Sequence, residues 1–173
     1  MRYRSHRIEG NTVYPVFVRY RGNRHLILYA YSDPDDTVIS DECGGILSFS
    51  SEEDAERYCQ IRGLLLENDH SFPEYDFDAP IENPIVYTSV LNNWNLLNTI
   101  ARRLGMFFEG DRARYNGLYD LLFSLSLPAE PIPPTYDVGE MNLAELHRVF
   151  RKKDRFLSRF IVYRVGTDSA SGT

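Results

Sequence analysis

The chain predicts an α+β fold, with antiparallel strands in its N-terminal part packed against about three to four helices. Three observations lead there. Two apolar runs between Asn11 and Tyr31 flank the turn signal Arg21-Gly22-Asn23, the pattern of a hairpin. From Val90 to Phe123 the apolar residues instead recur at helical steps of three and four. Beyond them Pro128, Pro131, Pro133 and Pro134 prescribe an extended connector before a last helical pattern.

Taken in order, Asn11 to Tyr20 sets Val13, Pro15, Phe17 and Arg19 on one parity and Tyr14, Val16, Val18 and Tyr20 on the other. Pro15 removes a ladder donor and favours an edge strand or a bulge. Arg24 to Tyr31 reads as the partner strand. A turn-rich stretch, Ser32 to Asp36, precedes a short strand at Thr37-Val38-Ile39, and Gly44-Gly45 breaks the chain before Ile46 to Phe49. Ser50 and Glu53 have the form of a capping box, so a helix is expected from there to Arg62, ended by Gly63. Ala55, Tyr58, Cys59 and Ile61 are its expected buried side. Leu64-Leu65-Leu66 reads as a short buried strand. The loop from Asn68 to Pro84 carries Phe72, Tyr75 and Phe77, which an exposed linker would not need, so it is expected to fold onto the body with its carboxylates outward.

The central helical stretch begins with Thr88 or Ser89 as candidate caps and places Val90, Trp94, Leu97, Ala101 and Leu104 on one face, ending at Gly105. Glu109-Gly110-Asp111 makes a turn, after which Tyr115, Leu118, Tyr119, Leu122 and Phe123 line a second helix. Trp94, Leu97, Leu118 and Phe123 are expected to be buried. Asn142, with Glu145 three residues on, is the expected cap of the last helix, whose inner face is Leu143, Leu146, Val149 and Phe150. The cations of Arg151-Lys152-Lys153-Asp154-Arg155 suit the C-terminal end of that helix. Phe156 to Val165 leaves a helical turn or a final strand open. One globular domain is expected over residues 1–165, with a disordered tail at 166–173.

Charge is distributed unevenly. The total is −6, but Met1 to Tyr31 sums to +5, Ser32 to Pro84 to −13 and Ile85 to Thr173 to +2. A block of that sign repels phosphate and attracts a basic partner, or else serves as a solvated surface paired internally with the N-terminal arginines. The first ten residues lack a signal-like apolar run and no stretch has the length to cross a bilayer, so a soluble, cytoplasmic protein is expected. Cys43 and Cys59 are expected as reduced thiols.

Motifs for catalysis are missing. His6, His25, His70 and His147 are scattered, no Cys/His spacing suits a metal, and no glycine loop suits a phosphate. Asp33, Asp35 and Asp36 lack the spacing of a calcium loop. Neither cofactor nor metal is expected, and no catalytic residue is assigned. An enzyme with a carboxylate site, for instance Glu74 and Asp76, is the alternative; a structural or adaptor module is another.

One resemblance bears on function. Leu91-Asn92-Asn93-Trp94-Asn95-Leu96-Leu97, the helix ending at Gly105, Tyr119-Asp120-Leu121-Leu122-Phe123 and the Leu127-Pro128 exit resemble immunity proteins of bacterial polymorphic toxin systems, the contact-dependent growth inhibition type in particular. The resemblance spans roughly Gly45 to Phe150, with Ser124-Leu125-Ser126 standing where those proteins carry Trp-Gly-Asn-Asn. It implies a protein without enzymatic activity that binds and neutralises a cognate toxin domain, commonly a nuclease. A nuclease needs positive charge to hold phosphates, so the expected contact is acidic. Its candidate residues are Asp33, Asp35, Asp36, Asp41, Glu42, Glu52, Glu53, Glu56, Glu74, Asp76 and Asp78, with no direct contact to nucleic acid or membrane.

Overall fold

The chain enters the fold through a hairpin. Strand β1 (Thr12–Tyr20) pairs antiparallel with β2 (Asn23–Ala30) in unbroken register from Tyr14↔Tyr29 to Tyr20↔Asn23. Arg21 and Gly22 both have positive φ, 51° and 72°, the backbone of a two-residue turn whose twist matches the strands. The computed structural model describes residues 12–31, 35–67, 73–127 and 133–164. Phe72, Pro128, Pro131 and the predicted tail from Gly166 to Thr173 lie outside them.

The hairpin is the centre of a seven-stranded sheet of order β5-β1-β2-β4-β7. Here β4 is Ile46–Phe49, β5 is Leu65–Leu66 and β7 is Phe160–Val162; β3 (Thr37–Val38) pairs with β2, and β6 (Tyr75–Asp76) with β1. The sheet is mixed rather than purely antiparallel, because β5, β6 and β7 run parallel to their partners. Pro15 shows how that is possible. The carbonyls of Val13 and Arg19 accept from Glu67 and Phe77, so odd residues of β1 direct their backbone groups away from β2. Among the described residues pairing on that side covers Thr12-Val13 and Val18-Arg19 only, and Pro15 falls between them, where its missing N–H breaks none of these pairs.

Alternation then divides two cores. Val13, Leu26, Leu28, Ala30, Leu47 and Phe49 face helix α1 (Glu52–Arg62), while Val16, Val18, Ile27, Tyr29 and Ile46 face the remaining helices. Those are α2 (Tyr87–Arg103), α3 (Asn116–Ser126), α4 (Gly139–Phe150) and the single turn α5 (Asp154–Leu157). The result is an α+β domain with α1 on one face of the sheet and the helical layer on the other. Trp94, 2% exposed, is at the centre of that layer, edge-on to Phe108, Tyr115 and Phe150. Gly110 packs directly on it: a Cβ there would lie 2.7 Å from the indole and 2.4 Å from the Phe108 ring.

Several expectations are corrected. The cap of α1 is Ser51, whose hydroxyl accepts from the Asp54 amide at 3.1 Å, one residue after Ser50. Ile61 is 65% exposed, lying about a sixth of a turn past Tyr58, beyond the face that Ala55, Tyr58 and Cys59 present. Leu65 is 56% exposed because β5 is an edge strand and not a buried one. Helix α2 starts at Tyr87 without a side-chain cap from Thr88 or Ser89, its apolar stripe extending back through Leu91 and Tyr87. Phe123, expected in the core, is 49% exposed and stacks on Tyr119, since Leu118 and Leu122, with Tyr115 just before the helix, occupy the inner face of α3. Asn142 is inside α4 and donates back to the Val138 carbonyl, while Asp137 accepts from the Gly139 amide at 2.8 Å. Gly63 and Gly105 do take left-handed φ at the helix ends, as expected. The C-terminal ambiguity resolves as both alternatives in succession, α5 and then β7.

Candidate functional site

The fold does not gather the acidic block into one surface. Asp33 lies outside the described residues. Asp35 pairs with Arg102 of α2, and Asp36 accepts the Tyr29 hydroxyl at 2.6 Å, both on the side of the helical layer. Asp41 accepts the Gly45 amide at 2.6 Å and braces the turn between β3 and β4. Glu74 is 3.3 Å from both Arg19 and Arg24. The Asp76 carboxylate accepts from the amides of Asp78 and Ala79. Asp78 straddles the hairpin turn, its two oxygens accepting from the Arg21 and Gly22 amides at 2.6 and 2.7 Å. Those amide bonds, that of Gly22 first, hold the Asp78 carboxyl below the usual carboxylate range.

Four carboxylates stand apart. Glu42, Glu52, Glu53 and Glu56 are exposed and make no hydrogen bond or ion pair to the other described residues. All three of Glu52, Glu53 and Glu56 are exposed on α1: Glu53 opposite the buried Ala55, Tyr58 and Cys59, Glu56 on the flank, and Glu52 at the helix start on the Cys59 side, at the rim of a cavity lined by Phe17, Arg24 and Phe49. In the first turn of the helix, Glu52 and Glu53 also complement its dipole.

On the other side of the molecule is a polar cleft made of residues outside the expected contact set, except for Asp35 and Asp36. It measures about 390 Å³. Its floor is the outward stripe of α2: Asn92, Asn95, Asn98, Thr99 and Arg102. The sheet contributes Tyr29 and Tyr75, the segment before β3 contributes Asp35 and Asp36, and α3 contributes Tyr119. Tyr119 donates to Asn95 Oδ1 at 3.0 Å. Asn98 Oδ1 is buried and has no hydrogen-bond donor. Burial, then the bond to Asp36, raises the Tyr29 hydroxyl, and burial pushes Tyr75 up to about 12, so both are neutral hydroxyls at physiological pH. The spacing of Asn92, Asn95, Thr99 and Arg102, steps of three, four and three, is visible in the sequence as a second stripe beside the apolar one. The tyrosines and aspartates facing it arrive from far along the chain, and no local pattern announces them.

No protein-family model matches the chain, and no curated protein matches it. Among solved structures it is similar to the crystal structure of the SatS C-terminal domain in complex with bromine, with a TM-score of 0.57 and 16% identity over 88% of this chain and 95% of that one. At that identity the likeness is one of fold.

Groups suited to other chemistry are dispersed. Among the described residues no three His, Cys, Asp or Glu side chains converge as metal ligands. Cys43 is exposed and Cys59 buried, neither in a disulfide, and burial pushes the Cys59 thiol up to about 11. Glu74 and Asp76, the pair named for a carboxylate site, are bound to Arg19, Arg24 and backbone amides. The cations at the end of α4 lie near a cavity of about 320 Å³, where Lys152 and Arg155 meet Phe107 and Arg112, and Glu109 neutralises Arg112 at 2.9 Å. No helix of the described residues is long and apolar enough to cross a membrane.

Proposed function

We propose that this chain is an inhibitor of the immunity type, which binds a basic toxin domain in the cytoplasm and neutralises it without catalysing a reaction. The observation that carries the reading is the solvent face of α1. Glu52, Glu53 and Glu56 project there uncommitted, whereas six other candidate carboxylates are engaged within the chain. An exposed cluster of one sign speeds encounter with a surface of the other and sets its orientation. The motifs around Trp94 and Tyr119 supply the likeness to immunity proteins, and the two unbridged cysteines accord with a reducing compartment. Among the described members of the contact set, Glu42 in the turn before β4 is the other uncommitted one.

The test is co-expression with the toxin domain encoded by the adjacent upstream gene. Protection of the host together with a one-to-one complex on gel filtration is the expected outcome. A purified pair that passes through the column separately, with the host still killed, sinks the reading.

A further inference from the structure

We infer that the polar cleft over α2 receives a cationic side chain of a protein partner, an arginine guanidinium by its chemistry. The size fits a single side chain: about 390 Å³ is near the lower bound for small-molecule pockets. The charge fits as well. Asp35 is neutralised by Arg102, and Asp36 has one oxygen on the Tyr29 hydroxyl with the other unassigned, so the cleft holds one carboxylate in excess.

What the cleft needs is donors. Asn98, which lines the cleft, has a buried Oδ1 with no donor among the described residues, a cost that is removed if the side chain turns outward onto a donor in the cleft. A guanidinium brings five N–H donors in a planar fork and no acceptor, which suits a carboxylate with carboxamide oxygens around it. Tyr29, Tyr75 and Tyr119 make the lining partly aromatic, which suits a guanidinium, more weakly hydrated than an ammonium. A neutral polyol would satisfy the carboxamides equally but would gain nothing from the excess charge. The cleft and α1 are on opposite faces of the sheet, so this inference stands independently of the acidic face and of any toxin.

The test uses the whole chain, labelled with nitrogen-15, titrated with a capped Gly-Arg-Gly tripeptide and, in parallel, with a capped Gly-Gln-Gly tripeptide and with sucrose. Saturable shifts of the side-chain amide signals of Asn92, Asn95 and Asn98 with the arginine peptide alone are the expected result. Asp36→Asn, which keeps an acceptor for the Tyr29 hydroxyl, should weaken binding about tenfold, whereas Glu140→Gln, at an exposed acid outside both the cleft and the α1 face, should leave it unchanged. If the arginine peptide gives no saturation at tens of millimolar, or the glutamine peptide or sucrose binds as well, the inference fails. An Asp36→Asn protein with native amide spectrum and unaltered affinity overturns it too.

Discussion

Two short segments carry nearly the same density of carboxylates and put them to opposite uses. Residues 74–78 hold three acids and residues 52–56 hold four. In the first, β6 anchors the segment by Tyr75, with Phe77 buried just beyond it, and strand alternation carries Glu74, Asp76 and Asp78 together along the edge of β1. There they meet Arg19, Arg24 and the amides of the hairpin turn. In the second, a helix leaves Glu52, Glu53 and Glu56 exposed, and none of them makes a hydrogen bond or ion pair with the other described residues. What a partner can use is therefore set by the secondary structure that displays a charge, and the net charge of a segment does not reveal it.

The comparison can be calibrated, sharpened and broken by substitution. The scale for a purely structural residue comes from Trp94→Ala, which removes the centre of the helical layer and should cost about 3–5 kcal/mol in urea unfolding. A loss under about 1 kcal/mol would remove Trp94 from the role given to it. Asp78→Ala is next, since it strips two amide bonds from the hairpin turn. Its cost, like that of a lost helix cap, should be about 1 kcal/mol. It also has a pH signature. The folded carboxyl lies below its unfolded value, so its contribution is fully present above the unfolded value near pH 4 and is lost as pH falls through the folded one. The gap between wild type and Asp78→Ala should thus narrow below about pH 4 and stay constant from pH 5 to 8. A gap unchanged down to pH 2 would show that the carboxylate charge is immaterial to the turn.

Much of the fold was legible because local patterns determine it. Trp94, Leu97 and Leu118 are buried where the helical period puts them, and the hairpin lies where Arg21-Gly22 interrupts two strand-like runs. The errors cluster where two local signals compete: Ser50 against Ser51 as cap, Phe123 against Leu122 for the inner face, Asn142 as cap or as an interior residue bonding back to Val138. The acidic candidates rest on composition, which carries no information on pairing between distant positions of the chain. Asp36 with Tyr29, Asp78 with the turn and Asp35 with Arg102 join positions up to 67 residues apart, and only the packed sheet and helices bring them together. The same limit hid the cleft over α2, half of whose walls come from other elements.

The smallest effect on stability is expected where the largest effect on association should be. Changing Glu52, Glu53 and Glu56 together to Gln removes three exposed charges that make no hydrogen bond or ion pair with the other described residues. The only structural loss is attraction to the helix dipole, which salt screens, so unfolding should shift by no more than about 0.5 kcal/mol. Association with a basic partner responds differently, because exposed charges act on the encounter over a Debye length of about 8 Å at physiological ionic strength. Stopped-flow mixing with the toxin domain should therefore show the triple variant binding several-fold more slowly at low salt, with the difference vanishing at high salt. Neutralising Asp78 and Glu74 instead should lower stability and leave the rate nearly unchanged, since their charges are already balanced by Arg19, Arg24 and the turn. If the two sets of variants trade places, with slower association for Asp78 and Glu74 and unaltered rates for the α1 triple, then the interface follows β6 and the contrast between the two segments is reversed.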